Sequence, residues 1–162
     1  MAIAFDASSN KGSDAGTTST WSHTCTGSNR VLIVGTMCQT GNTITGVTYA
    51  GTAMTQIVTQ AIGGATFSNQ YLFRLAAPAT GANNIVVTSS GGSYIYSAAA
   101  SYTGVDQTTP IDVSGAGTAT ATSITGTLTT TIDNDWLVGF TGCGSGGGSA
   151  LSAGANTTER IE

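Results

Sequence analysis

No ten-residue stretch of this chain repeats its apolar residues at the 3.6-residue period of a helix. Turn-forming clusters instead recur at short intervals along it, as they do in sandwiches and barrels. That leaves sheet as the only regular structure open to the chain. Residues 18–25 set Thr18, Thr20, Ser22 and Thr24 against Trp21, His23 and Cys25, the period-2 alternation of a half-buried strand. Residues 30–38 (R-V-L-I-V-G-T-M-C) are apolar on both faces and so predict an interior strand, in a hairpin with 18–25 about the turn 26–29. Residues 44–49 and 53–59 predict a second hairpin about Ala50-Gly51-Thr52. Residues 67–75 place Tyr71, Phe73 and Leu75 on one face, and 84–89 carry Ile85, Val86 and Val87.

The run 94–102 differs from these, with small residues set among Tyr94, Tyr96 and Tyr102 and a turn through Gly104, Asp106 and Pro110 behind it. Small side chains let a further layer pack close, so 94–102 is expected to be a central strand. Shorter strands are expected at 1–6, 111–113, 123–131 and 136–141, and a polar loop at 8–17. The sum is an all-β chain: one antiparallel β-sandwich domain over residues 1–162, jelly-roll-like, with about ten strands. Residues 142–149 read as a flexible Gly/Ser loop. Residues 150–162 have only Leu151 and Ile161 to bury, and are expected to pair with a neighbouring subunit.

Composition narrows the function more than any motif does. The chain is 40% apolar but only 7% charged, where an average soluble domain has about 25% charged residues. Its four cations, Lys11, Arg30, Arg74 and Arg160, are scattered, and the net charge is −4. With no basic stripe to neutralise phosphates, no nucleic-acid partner is expected. A surface so poor in charge stays soluble through hydroxyls and amides or is covered by other subunits. No apolar run is long enough to cross a membrane as a helix, so no membrane insertion is expected. The opening Met1-Ala-Ile-Ala-Phe5 reaches Asp6 without a basic region or an apolar core, so it does not read as a signal peptide. Cys25, Cys38 and Cys143 form neither a disulfide framework nor a zinc pattern, and read as free thiols.

Each group with chemistry to offer has a structural reading beside it. His23 is the only histidine. A Ser–His–Asp arrangement would need it beside a nucleophile and a carboxylate, but no G-x-S-x-G elbow is present, and its alternation with Trp21 and Cys25 predicts a core position. Asp106, Asp112, Asp133 and Asp135 sit in turns. Such carboxylates can hold calcium, but no EF-hand spacing exists, so they read as turn-formers and no cofactor is expected. Among the aromatics Tyr94, beside Gly91-Gly92, is the one expected to face outward to a ligand such as a glycan. Asn156-Thr157-Thr158 is a glycan-acceptor sequon at Asn156. No catalytic residue is identified.

Three segments resemble one family: 22–35 (S-H-T-C-T-G-S-N-R-V-L-I-V-G), 47–55 (V-T-Y-A-G-T-A-M-T) and 100–111 (A-S-Y-T-G-V-D-Q-T-T-P-I). They are similar to an uncharacterised β-sandwich family found in phage virion proteins and in bacterial and environmental surface proteins, often as modules of longer chains. The resemblance spans the chain and implies no enzyme activity. It implies structural roles for Asn29 and Arg30 in closing a hairpin, with Arg30 pairing across a strand, and for Gly104, Asp106 and Pro110 in shaping the crossover after Tyr102. Similar chains run past the T-E-R segment (158–160) into further strands, so either a closing strand lies beyond residue 162 or a neighbouring subunit supplies it.

Together these features predict a non-enzymatic structural subunit of an extracellular assembly. A phage virion component comes first, such as a capsid decoration, fibre or tail protein. A subunit of a cell-surface filament or adhesin, bearing glycans, is the alternative, and a carbohydrate-binding module the second. The expected partners are copies of the chain itself or another virion or filament subunit, and the expected location is the virion or the cell exterior.

Overall fold

The computed structural model describes residues 2–62, 66–119, 127–142 and 158–160. Seven strands occur among them, all paired antiparallel, and no helix. They are β1 (Ala4–Cys25), β2 (Val31–Gln39), β3 (Ile44–Tyr49), β4 (Thr52–Ala53), β5 (Thr55–Ala61), β6 (Phe67–Ala76) and β7 (Gly81–Thr103). They make one sheet in the order β4-β3-β7-β2-β6-β5, with β1 on the other edge of β7. The sheet is nearly closed on itself into a barrel.

β7 is the spine, because three strands share its edges. β1 pairs along its whole length, from Ala4 opposite Thr103 to Cys25 opposite Gly81. On its far edge β3 takes the first half, with Val47 opposite Val87, and β2 the second, with Val34 opposite Ala99. β7 therefore belongs to two halves of the sheet that face one another. The interior between them holds Leu32, Val34, Tyr71, Phe73 and Ile95 from one half and Trp21, Val47, Tyr49, Ile85 and Val87 from the other. Alternation along the second half of β7 sends Ser93, Ile95, Ser97, Ala99 and Ser101 inward, where Thr36 and Ser97 hydrogen-bond hydroxyl to hydroxyl at 2.9 Å.

Several sequence expectations change here. Residues 8–17 are strand, not loop: β1 runs through them, and register shifts between Phe5 and Ala7, Asn10 and Gly12, and Gly16 and Thr18 absorb the irregularity. Gly12 and Gly16 take φ of 65° and 143°, so these glycines serve bulges, not turns. The two runs 84–89 and 94–102 are likewise one strand. The hairpin between 18–25 and 30–38 does not form, because both edges of β2 are taken by β6 and β7. Among the described residues Arg30 makes no ion pair across a strand; its guanidinium donates to the carbonyls of Pro78 (2.9 Å) and Gly27. Ala50-Gly51 does close a hairpin, both with positive φ as a two-residue turn of the mirror-image type requires. It joins β3 to the two-residue β4; past Met54 the chain crosses to pair with β6 as β5.

The outer face of β2, β6 and the second half of β7 is also covered. Val31, Ile33 and Tyr102 pack there with Val105, Ile3, Phe5, Leu72 and Val138. The cover is irregular chain, residues 105–112 and 135–142, in which neither 111–113 nor 136–141 forms the strand expected of it. Residues 135–142, called the strap below, lie along the face. Trp136 meets the Tyr102 ring edge-on at 6.0 Å, and Phe140 occupies the space above Gly35, where a Cβ would come within 2.6 Å of the Phe140 Cβ. Gln70 Nε2 donates to the carbonyl of Gly142 at 2.9 Å. Of 150–162 only Thr158–Arg160 is described; Ser8 donates to the Arg160 carbonyl and the Arg160 guanidinium sits 4.3 Å from the Phe5 ring centre. The predicted loop at 142–149, apart from Gly142, lies outside the described residues.

Candidate functional site

Two arrangements bring chemistry-bearing side chains together. The first is centred on His23, which is 2% exposed. Its Nδ1 lies 2.8 Å from Ser9 Oγ and its Nε2 3.1 Å from Ser101 Oγ. Ser101 donates to Asp6 at 2.7 Å, so its oxygen is left to accept from His23 Nε2–H. Nδ1 then carries no proton and accepts from Ser9, whose oxygen in turn accepts from Trp21 Nε1–H at 3.0 Å. Each donor in the series Trp21, Ser9, His23, Ser101, Asp6 has an acceptor when the imidazole is neutral. Asp6 also accepts from the Thr26 backbone N–H (2.9 Å) and hydroxyl.

This network differs from a catalytic triad in a decisive respect. Ser101 stands between the imidazole and the carboxylate, where a triad has direct contact. Asp6 and Ser9 come from the first half of β1, Trp21 and His23 from the second, and Ser101 from β7, so the network ties the facing halves together. Sequence reading placed His23 in the core, as the structure does. It missed Ser9, Ser101 and Asp6, which no local pattern links to it.

Burial holds the His23 pKa below its ordinary value, opposed by the Asp6 charge. For Asp6 burial pulls upward, but the Thr26 and Ser101 hydrogen bonds and the His23 charge together outweigh it, and its pKa falls. Both signs work the same way. With each folded-state pKa below its unfolded value, the unfolded chain binds more protons in the window between them, so stability falls with falling pH. The His23 contribution is complete above pH ~6.5 and is lost as pH drops below it; the Asp6 contribution is lost below about 4. Urea midpoints measured across that range are expected to decline below pH ~6.5 in the native chain and to lose this upper step in a His23→Gln variant. A native midpoint flat down to pH 5 is the contrary result.

The second arrangement is a cavity of about 550 Å³ below the crossover, lined by Asp106, Asp112, Asp133, Asp135, Ile132 and Trp136 among others. The structure brings the four aspartates together, which their separation in sequence did not predict. Two of them are committed to backbone. Asp106 Oδ1 accepts from the N–H groups of Thr108 (2.7 Å) and Thr109 (2.8 Å), and these lower its pKa. Asp112 accepts from the Thr131 N–H and hydroxyl, both at 2.5 Å, which lower its pKa in the same way. Asp135 is pushed up, by burial first and then by the hydrogen bond and charge of Asp112. Asp106 thus caps its own turn, and Asp112 pins Thr131, the start of the turn that leads into the strap. No group of three or more metal-ligating side chains suited to an ion occurs among the described residues.

Tyr94 is 50% exposed on the outer face of β7, its N–H donating to Gln39 Oε1 at 3.1 Å. Asn156 lies outside the described residues, as does Cys143. Cys25 and Cys38 are buried free thiols whose pKa values burial raises. Apart from Tyr94, the most exposed large apolar groups among the described residues were not foreseen: Leu137 is 74% exposed, Ile132 53% and Trp136 47%. All three belong to the strap or the turn before it. Comparison of the chain with protein-family models, curated proteins and solved structures returns no match to any of the three.

Proposed function

We propose that this protein is a non-enzymatic structural subunit of an extracellular assembly, in which its outer face is covered by neighbouring subunits. One observation carries the reading: within six residues of chain Ile132, Trp136 and Leu137 all expose apolar side chain, on a protein that has few charges to keep it apart from its neighbours. Scattered apolar residues on a surface are ordinary, but grouped ones mark contact sites. The histidine network supports a role without catalysis, since its hydroxyls and ring nitrogens are already engaged with one another. A β-sandwich subunit of a phage virion, as a capsid decoration, fibre or tail protein, is the instance to which the resemblance at 22–35, 47–55 and 100–111 leads. A cell-surface filament or adhesin is the alternative.

The aromatic wall of the cavity favours one further reading. Trp136 beside aspartates and Asn134 is a surface that could stack on a sugar ring and bind its hydroxyls, as a carbohydrate-binding module does. Light scattering and mass photometry separate the readings. A subunit is expected to form oligomers as concentration rises, and Leu137→Asp to abolish them while leaving the fold intact. A binding module is expected to stay monomeric and to melt higher with a glycan, by a shift that Trp136→Ala removes. A chain that stays monomeric to millimolar concentration would overturn the assembly reading.

A further inference from the structure

The strap is bound unlike the rest of the chain. Among the described residues none of its backbone groups pairs with the backbone of another segment. It is held by side chains used as knobs: Trp136 on Tyr102, Val138 in the outer apolar cluster, Phe140 over Gly35, with the Gln70 amide on the Gly142 carbonyl at its end. The intervening Leu137 points away and is 74% exposed. A segment fixed by separate knobs and no ladder can leave its face without breaking a cooperative hydrogen-bond array. Once the two Asp112–Thr131 hydrogen bonds open, residues 113–130, rich in Gly, Ala, Ser and Thr, connect it to the body. Extended, they could span up to roughly 60 Å, enough to reach the same face on an adjacent molecule.

We propose that the strap is exchanged between copies: the strap of one chain seats its Trp136, Val138 and Phe140 on the β2–β6–β7 face of a second copy, with Phe140 over the partner copy's glycine at 35. The proposal rests on the assembly reading above and names its contact. Exchange makes the same contacts as the closed chain, so the balance is set by concentration. A tether of eighteen residues holds its own strap at an effective concentration on the order of millimolar. Exchange therefore prevails where subunits are packed more densely than that, as in a particle or fibre. The exposed Leu137 and Ile132 tilt the balance further, because a strap that crosses between bodies carries them into the junction.

The test uses the full chain with a photoreactive phenylalanine analogue in place of Phe140, prepared in nitrogen-14 and nitrogen-15 forms and mixed at a concentration where the native chain is oligomeric. Cross-links from position 140 to the β2 peptide are expected to join light to heavy chains in about half of the products, the statistical proportion for full exchange. Oligomers that yield only light–light and heavy–heavy links would overturn exchange and leave the assembly reading standing. A chain that never oligomerises and links only to itself would overturn both. Complementation provides an independent measurement. Gly35→Leu blocks the face and Trp136→Ala/Phe140→Ala disables the strap, so each alone is expected to lose oligomers, while an equimolar mixture recovers a mixed complex. Absence of that complex with both variants folded counts against exchange; if Gly35→Leu does not fold, the isotope measurement decides.

Discussion

Replacing Tyr49 with alanine is expected to cost about 3–5 kcal/mol, the range for deleting a large aromatic side chain from a packed core. Tyr49 is fully buried at the end of β3, among the side chains that join the two halves of the sheet. It is also the core's polar anchor. Its hydroxyl proton is shared between the carbonyls of Gly81 (3.0 Å) and His23 (3.2 Å), and its oxygen accepts from Asn83 Nδ2 at 3.4 Å. Those carbonyls lie at the distal end of the β1–β7 pairing, so one side chain packs three strands and fixes the end of two. Tyr49→Phe keeps the ring and removes the hydroxyl, and is expected to cost about 1–3 kcal/mol, since it leaves acceptors without their donor. At 2–4 °C per kcal/mol for a chain of this size, Tyr49→Ala should melt roughly 6–20 °C lower. Thermal unfolding of the two variants side by side checks the order. Equal losses for Phe and Ala would mean that the ring contributes nothing, contrary to the packing described.

What could be read from the sequence was what one face or one turn decides locally. β2 was legible because both its faces are apolar, and both are covered, one by the core and one by the strap. β3 and β6 were legible by alternation, and the Ala50-Gly51 turn by its residues. Where a choice depends on a partner far along the chain, local reading failed. Residues 8–17 look like a loop because Gly12, Gly16 and a polar run usually make one; pairing with β7 turns them into a bulged strand. The run 136–141 failed in the opposite sense. Its alternation of Trp136, Val138 and Phe140 with Leu137 and Gly139 is a strand pattern, yet periodicity reports only that one face is covered. Whether backbone pairing accompanies the covered face is decided by geometry elsewhere. The same limit applies to the sites: His23 could be placed in the core, but its partners Ser9 and Ser101 are ordinary serines until the sheet folds.

Gly104→Ala is expected to cost roughly 2–5 kcal/mol. Two independent effects add. Gly104 has φ of 71°, a left-handed conformation that costs an alanine about 1–2 kcal/mol. A Cβ there would also lie 3.0 Å from the carbonyl carbon of Ala2 and closer still to its oxygen, and overpacking of that kind adds about 1–3 kcal/mol. The obstacle is backbone, so no rotamer change relieves it. The position matters because Gly104 and Val105 donate to the carbonyls of Ser28 (3.3 Å) and Asn29 (3.0 Å), tying the end of β7 to the loop between β1 and β2. Just beyond, Val105 enters the outer cluster with Ile3 and Phe5, so the same turn holds the N-terminal segment down. The two effects can be separated by repeating Gly104→Ala in a chain lacking residues 1–3, where only the backbone cost of about 1–2 kcal/mol should remain. If the loss is instead unchanged by that truncation, the close approach to Ala2 is not what requires glycine, and the left-handed turn alone does.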